Sequence, residues 1–280
     1  MIRRILVGLA GTPYTAVSIQ TAVELAVRHG AELTGVTAID LKKLENVGPV
    51  PLGASAAAHD WREHRVKVTR DRIEQDIADF SSACTAAQLR WEVKSEGRES
   101  PFDYLISQSR YHDLMLFGVR SVFEYDVVGD PVTDPSLVLI RLITEGVRPI
   151  VAVAPQYQTV RRVMVAYSGS MESAKTMKRF VQLRPWPVEE MCIVTFERDE
   201  VRGRHLLADA AHYCRAHGLH AETKLIVQPP RDNLLLEAEA WGADLIVLGN
   251  SAKRLLLRRV FGETALHAIR EANCPLFLAQ

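Results

Sequence analysis

The chain has 280 residues, 34 basic and 34 acidic residues that cancel in charge, and a hydrophobic fraction of 48%. The length suggests about two domains, and the zero net charge gives no general attraction to nucleic acid or to an anionic membrane. No apolar run reaches the roughly 18 residues of a membrane-spanning helix. The four cysteines are scattered without a Cys-x-x-Cys motif, which predicts a reduced, cytoplasmic protein.

The first half of the chain alternates predicted strands and helices. Residues 2–9 are predicted to form a strand and not a signal peptide, because their apolar part ends at a turn. Thr12 is predicted to cap the next helix with Pro13 in its first position, and Gly30 to end it. The remaining predicted elements are strands over 33–39, 89–94, 114–117 and 150–153, helices over 59–87, 101–109 and 134–145, and loops over 40–58 and 119–134.

The second half repeats the same order. Residues 161–166 repeat the pattern of 3–8, and Asp244 precedes an apolar run as Asp113 does. Two βαβαβαβαβ units predict an α/β fold with two doubly wound, five-stranded parallel sheets, in domains 1–155 and 160–280. The predicted elements of this half are helices over 172–183 (capped by Ser170), 201–217, 232–241 and 264–272, and strands over 161–166, 191–196, 222–227, 245–248 and after Pro275.

A glycine-rich, cationic segment follows the strand at 245–248. The strand ends at Gly249, four cations without an acid follow, and Gly262 precedes a helix; the cations are Lys253, Arg254, Arg258 and Arg259. Backbone N–H groups and a helix N-terminus then meet at the carboxyl edge of the sheet, which suits a phosphate. Asp113 and Asp244 lie at the opposite edge and are predicted to be structural.

This segment resembles the universal stress protein family, whose pattern is Gly-x2-Gly-x9-Gly-[Ser/Thr]. Here the four positions are Gly249, Ala252, Gly262 and Glu263, so the outer glycines and the spacing match. Because both halves share the order of elements, the chain resembles a tandem pair of such domains. The resemblance implies an adenine nucleotide alpha hydrolase-like fold, an internal pseudo-dimer that could pair again, and a stress-response or signalling role. ATP, with Mg²⁺, or another adenine nucleotide would be the ligand.

The resemblance also implies where a nucleotide would bind in the second domain. Ser168 and Gly169 would lie under the nucleoside, where the family carries an aspartate, and the first domain has Ala10 at that position. Thr264 could supply the hydroxyl that Glu263 lacks. The phosphate end would be formed by Gly249, Ser251, Ala252, Gly262, Glu263 and Thr264, with Lys253 nearby.

The first domain is predicted to be degenerate for a nucleotide. Gly118 is followed by a segment with one cation, Arg120, and four acids (Glu124, Asp126, Asp130 and Asp134). Acids repel a polyphosphate by on the order of 1 kcal/mol for each close pair in water. A nucleotide is therefore expected in the second domain only.

Other interpretations stay open. The motif glycines could serve the fold alone, in a nucleotide-free interaction scaffold. A group with metal-ligand residue types comprises His212, Cys214, His217 and His220, but positions 212 and 214 would point to different faces of a helix, so no metal is predicted. With neither Gly-x-Ser-x-Gly nor a Walker A pattern, we predict no catalytic residues and no enzyme, with ATP hydrolysis slow and incidental at most.

Overall fold

The computed structural model describes residues 1–38, 53, 55–96, 101–118, 139, 142–143, 145, 149–249, 253–255, 258–260 and 262–279, with backbone alone at 96, 101–102, 253–255 and 258–260. The described residues form seven helices and twelve strands. The helices are α1 (Thr15–His29), α2 (Ser55–Ala86), α3 (Pro101–Ser109), α4 (Met171–Leu183), α5 (Glu200–Ala216), α6 (Pro230–Trp241) and α7 (Glu263–Glu271). The strands are β1 (Arg4–Gly8), β2 (Glu32–Ala38), β3 (Trp91–Glu96), β4 (Leu114–Gly118), β5 (Ile150–Val153), β6 (Arg162–Ala166), β7 (Glu190–Phe196), β8 (Glu222–Ile226), β9 (Leu245–Gly249), β10 (Lys253–Leu255), β11 (Arg258–Val260) and β12 (Leu276–Ala279).

Ten of the strands form one sheet in the order β3-β2-β1-β4-β5-β12-β9-β6-β7-β8. Within each half all neighbours are parallel, and the order is the same when it is read inward from either end. The halves meet where β5 and β12 pair antiparallel, with Phe277 opposite Val151. The predicted α/β fold is confirmed, and the antiparallel joint relates the halves as a two-fold axis relates the subunits of a dimer.

Helices cover both faces of this sheet, so its strands are apolar on both sides. Ile5 and Val7 of β1 belong to one core, with Phe80 of α2 and Phe180 of α4, whereas Leu6 belongs to the core on the opposite face. The first core lies under α1, α2, α4 and α5, and the second lies under α3, α6 and α7. Within the described part of the chain, no helix has the length and apolar character that crossing a membrane requires.

Most predicted elements are confirmed within a few residues, and three local predictions are wrong. Thr12 does not cap α1, which begins at Thr15, because the Thr15 N–H donates to the Thr12 carbonyl in a preceding turn (3.0 Å). The predicted loop over 40–58 gives way at Ser55 to helix α2, since its alanines favour helix. The segment after Gly249 contains an antiparallel hairpin, β10 with β11, and not only loop.

Two predictions fall largely outside the described residues. The loop over 119–134, with the four acids and Arg120, is one of them. The helix over 134–145 is the other, although Leu139, Leu142 and Ile143 are helical and buried.

Asp113 and Asp244 play equivalent structural parts at the amino edge, as predicted. Asp113 Oδ2 accepts hydrogen bonds from the N–H groups of Arg3 (2.8 Å) and Arg4 (3.1 Å). Asp244 Oδ2 accepts hydrogen bonds from the N–H groups of Arg161 (3.0 Å) and Arg162 (2.9 Å), at the start of β6. Each carboxylate therefore ties the start of its half's first strand to the strand that follows the aspartate.

Asp244→Ala is expected to lower the free energy of unfolding by about 2 kcal/mol, because two backbone N–H groups lose a charged acceptor. Urea titration followed by circular dichroism measures the change. Asp209→Ala, which removes an exposed carboxylate from α5, should change the stability by less than about 0.5 kcal/mol. Equal effects of the two substitutions would contradict the structural role of Asp244.

Candidate functional site

A cavity of about 130 Å³ opens at the carboxyl edge of the second half. Strands β6, β7 and β9 end there, and helices α4, α6 and α7 begin there. The wall combines apolar and hydroxyl side chains with one glycine: Ala166, Tyr167, Ser168, Ser173, Phe196, Pro230, Leu234, Leu248, Gly249, Thr264 and Ala265. This is the edge at which open α/β sheets bind ligands, and three helix N-termini bring positive ends of dipoles towards it.

The structure brings three of the predicted site residues together in this wall: Ser168, Gly249 and Thr264. Thr264, and not Glu263, faces the cavity; the Glu263 side chain is exposed in the first turn of α7. A hydroxyl residue therefore lines the cavity one position after the place where the family pattern has Ser or Thr.

The other predicted site residues lie around the cavity or outside the described part of the chain. Gly169 has φ +72° and packs under Leu206, and Gly262 is the N-cap of α7 with φ −64°. The backbone of Lys253 begins β10, and its side chain is not described. Ser251 and Ala252 lie outside the described residues.

Three serines form a hydrogen-bonded cluster at the N-terminus of α4. Ser168 Oγ lies 3.1 Å from Ser170 Oγ and 3.3 Å from Ser173 Oγ. The Oγ atoms of Ser170 and Ser173 lie 3.2 Å apart. Ser170 caps α4 as predicted, because its Oγ accepts the Ser173 N–H (3.2 Å). The turn after β6 thus offers the cavity neutral hydroxyls at the point where the family carries a carboxylate.

Gly249 is required by close packing. A Cβ at this residue would lie 2.6 Å from Ser173 Cα and 2.8 Å from Ser173 N. Both atoms belong to the backbone of α4, which cannot yield as a side chain does. The end of β9 is therefore held against the first turn of α4, and this contact fixes the floor of the cavity.

Sequence reasoning missed the aromatic part of the wall. Tyr167 follows β6 directly and Phe196 is the last residue of β7, so both stand at carboxyl ends of parallel strands, which is the signal that could have identified them. Burial chiefly, with the charge of Asp209, raises the pKa of the Tyr167 hydroxyl. The hydroxyl is therefore neutral near pH 7. The Tyr167 side chain packs on the core under α4 and α5, whereas Phe196 packs on the core under α6 and α7, so Phe196 is the ring on the side of the cavity that these two helices line.

The equivalent turn of the first half is closed by a helix. The side chain of Asp76 in α2 accepts the Gly11 N–H (2.7 Å), and a Cβ at Gly11 would lie 3.3 Å from Arg72 Cβ and Ile73 Cγ1. Burial is the largest cause of the raised pKa of Asp76, which the hydrogen bonds from Gly11 and Thr15 oppose. The two halves therefore differ at this turn: a carboxyl group occupies it in the first, and serine hydroxyls line it in the second.

The His and Cys residues considered as metal ligands do not form a metal site. In the described part of the chain, no three His, Cys, Asp or Glu side chains lie close enough together to hold one ion. Cys214 is fully buried in α5, and burial raises the pKa of its thiol to about 11. His217 ends that helix against Tyr213, with ring centroids 4.6 Å apart. His212 and His220 are exposed.

Comparison with known proteins identifies the second half. Residues 159–280 match the universal stress protein family and form one domain of that family. A universal stress protein from Archaeoglobus fulgidus DSM 4304 is similar in fold, with 16% identity, a TM-score of 0.63 and coverage of 99% of this chain and 98% of that one. A functionally unknown protein from Pseudomonas aeruginosa PAO1 has 13% identity, a TM-score of 0.61 and coverage of 99% and 92%. No curated protein matches the chain.

Proposed function

We propose that the chain is a tandem universal stress protein with a cytoplasmic stress-response or signalling role, whose second domain binds ATP or another adenine nucleotide. The domains would be residues 1–155 and 160–280. The observation that carries the proposal is the convergence of Ser168, Gly249 and Thr264 in one cavity at the carboxyl edge of a family domain. These positions were predicted from the motif, and they lie on three separate elements.

The chemistry of the cavity supports a nucleoside. Phe196 offers a ring surface for a base, whose stacking is worth about 1–3 kcal/mol in other base-binding sites. Hydroxyls of Ser168 and Thr264 supply donors and acceptors, and Gly262 is the N-cap of α7, whose N-terminus favours a phosphate. A Mg²⁺ would be held mainly by the phosphates, as is usual for this ion.

The proposed role is binding rather than catalysis, and it belongs to the second half. In the first half the Gly11 N–H already donates a hydrogen bond to the Asp76 carboxyl group, and α2 packs over the turn. A nucleotide there would lose a backbone donor and, when Asp76 is ionised, face a like charge. The asymmetry supports one nucleotide per chain.

Thr264→Glu is expected to weaken ATP binding by about tenfold or more, a loss of about 1.4 kcal/mol. A carboxylate would enter the cavity wall beside the phosphates, and like charges repel by about 1 kcal/mol in water and more when they are partly buried. The helix itself should tolerate the change, because acids favour the first turn. Isothermal titration calorimetry with ATP and Mg²⁺, and with AMP, measures the affinities.

Val201→Glu is the matched control, since it adds one carboxylate to the first turn of α5 at an exposed position and should leave the affinity unchanged. Thermal unfolding gives a second readout, because a ligand of the folded state stabilises it by about 2.7 kcal/mol at 100 times Kd. Absence of heat and of stabilisation at millimolar ATP, with all proteins folded, would refute the nucleotide proposal.

The second candidate function is a nucleotide-free interaction scaffold, and the contact of Gly249 favours it. Because the glycine is needed to pack β9 on α4, its presence does not require a phosphate. This candidate predicts no adenine nucleotide binding in the same titrations, so those experiments separate the two.

A further inference from the structure

A second cavity, of about 260 Å³, lies at the opposite, amino edge of the second half. It opens between the last turns of α6 and α7, beneath the segment that joins the two halves. Its wall contains two carboxylates, two amides, a thiol and an apolar floor: Glu239, Glu271, Gln158, Asn273, Cys274, Leu235, Ala238, Gly242, Ala243, Ile246 and Ala272.

The electrostatics of this amino-edge cavity favour a cation. Glu239 lies in the last turn of α6 and Glu271 is the last residue of α7. Neither carboxylate has an ion-pair partner among the described residues. Each helix C-terminus adds about half a negative charge from its carbonyl groups. Two carboxylates and two helix ends therefore face one space.

Arg162, a cation at the loop after α6, is already engaged. The Arg162 guanidinium donates to the carbonyls of Trp241 and Gly242 (3.1 Å to the latter), pairs with Glu190 at 2.6 Å, and lies 4.5 Å from the centre of the Trp241 ring. Because the Arg162 guanidinium already binds these partners, it does not form an ion pair with Glu239 or Glu271.

The first half carries a different residue at the equivalent point of its amino edge. Ala243 precedes Asp244 as His112 precedes Asp113, and the two aspartates occupy the same place in their halves. The His112 imidazole is buried, with Nδ1 2.7 Å from the Gln108 carbonyl oxygen. A buried ring therefore occupies in the first half the position that a methyl group occupies in the second.

We propose that the amino-edge cavity is a second ligand site, which takes a short aliphatic amine. The protonated amino group binds between Glu239 and Glu271, and the methylene chain lies on Leu235, a partly exposed apolar side chain of the wall. Gln158 and Asn273 complete the rim with amide groups that accept and donate hydrogen bonds. The site is independent of the nucleotide, because it lies at the other edge of the sheet and shares no wall residue with the first cavity.

Calorimetric titration of the full chain with 1,4-diaminobutane tests the proposal, with butane-1,4-diol and Mg²⁺ as comparison ligands. The diamine is expected to bind at least about tenfold more tightly than either, because the diol has the same chain without charge and Mg²⁺ has charge without a chain. No diamine heat at millimolar concentration, or equal binding of the diol or of Mg²⁺, would overturn the proposal.

Two variants place the binding in the amino-edge cavity. The pair Glu239→Gln and Glu271→Gln removes the charges with little change of shape, and Ala243→His introduces the bulkier imidazole that the first half carries at the equivalent position. Each is expected to abolish the diamine heat. The pair Glu63→Gln and Glu200→Gln removes the same charge from exposed positions of other helices and should retain it. Diamine binding that survives in the first pair, or is lost in the control pair, would assign the amine to another surface.

Discussion

Replacing Phe277 with alanine is expected to lower the free energy of unfolding by about 3–5 kcal/mol. The side chain is fully buried in β12, and its ring meets the edge of Phe180 with centroids 5.3 Å apart. β12 pairs with β9 of its own half and with β5 of the other. The cavity would therefore open beside the joint between the halves, where neighbours on both sides limit collapse.

Leu236→Ala is the matched control for Phe277→Ala, since it also truncates a large apolar side chain but at a position that is 61% exposed. Its cost should stay near 0.5 kcal/mol. Guanidinium titration followed by circular dichroism compares the two. A Phe277→Ala protein no less stable than Leu236→Ala would contradict the packing at the joint.

The elements of the fold could be predicted because local signals agree with the tertiary structure. The run at Ile150–Val153 is apolar on both faces, as a strand between two helix layers must be. Gly30 ends α1 in the left-handed conformation (φ 62°), where glycine carries no steric cost. Such features depend on the residues themselves and not on distant partners.

The joint between the halves could not be derived from local signals. The sequences of β5 and β12 are typical of buried strands. Nothing in residues 150–153 or 276–279 specifies that the two strands pair antiparallel. That pairing depends on the complementarity of two whole half-sheets. The start of α1 was missed for a similar reason: Thr12 and Pro13 form a helix-start pattern, but a turn closed by Thr15 precedes the helix.

The candidate site divides in the same way. Ser168 and Gly249 could be predicted because carboxyl ends of parallel strands meet at one edge. Asp76 could not, because it reaches the turn at Gly11 from the middle of a long helix whose pitch and position depend on packing. Thr264 could be predicted as well, because it is the first hydroxyl residue after Glu263 at the start of α7, and it lies in the cavity wall.

Gly249→Ala is expected to cost about 3 kcal/mol of stability, the upper part of the range for an overpacked site. The new methyl group would lie 2.6 Å from Ser173 Cα, so β9 and α4 must separate. The separation would also displace Ser173 from the serine cluster, and ATP binding should weaken with stability. Urea titration and calorimetry on the same preparation measure both quantities.

Gly30→Ala is the control that isolates the steric contribution. Both substitutions reduce the conformational freedom of the unfolded chain equally, but a Cβ at Gly30 meets nothing within 4 Å, and only its φ of +62° opposes alanine, at about 1 kcal/mol. The difference between the two variants therefore reports the contact of Gly249 with α4. A Gly249→Ala protein that keeps its stability yet loses ATP binding would contradict the packing role and assign the glycine to the nucleotide.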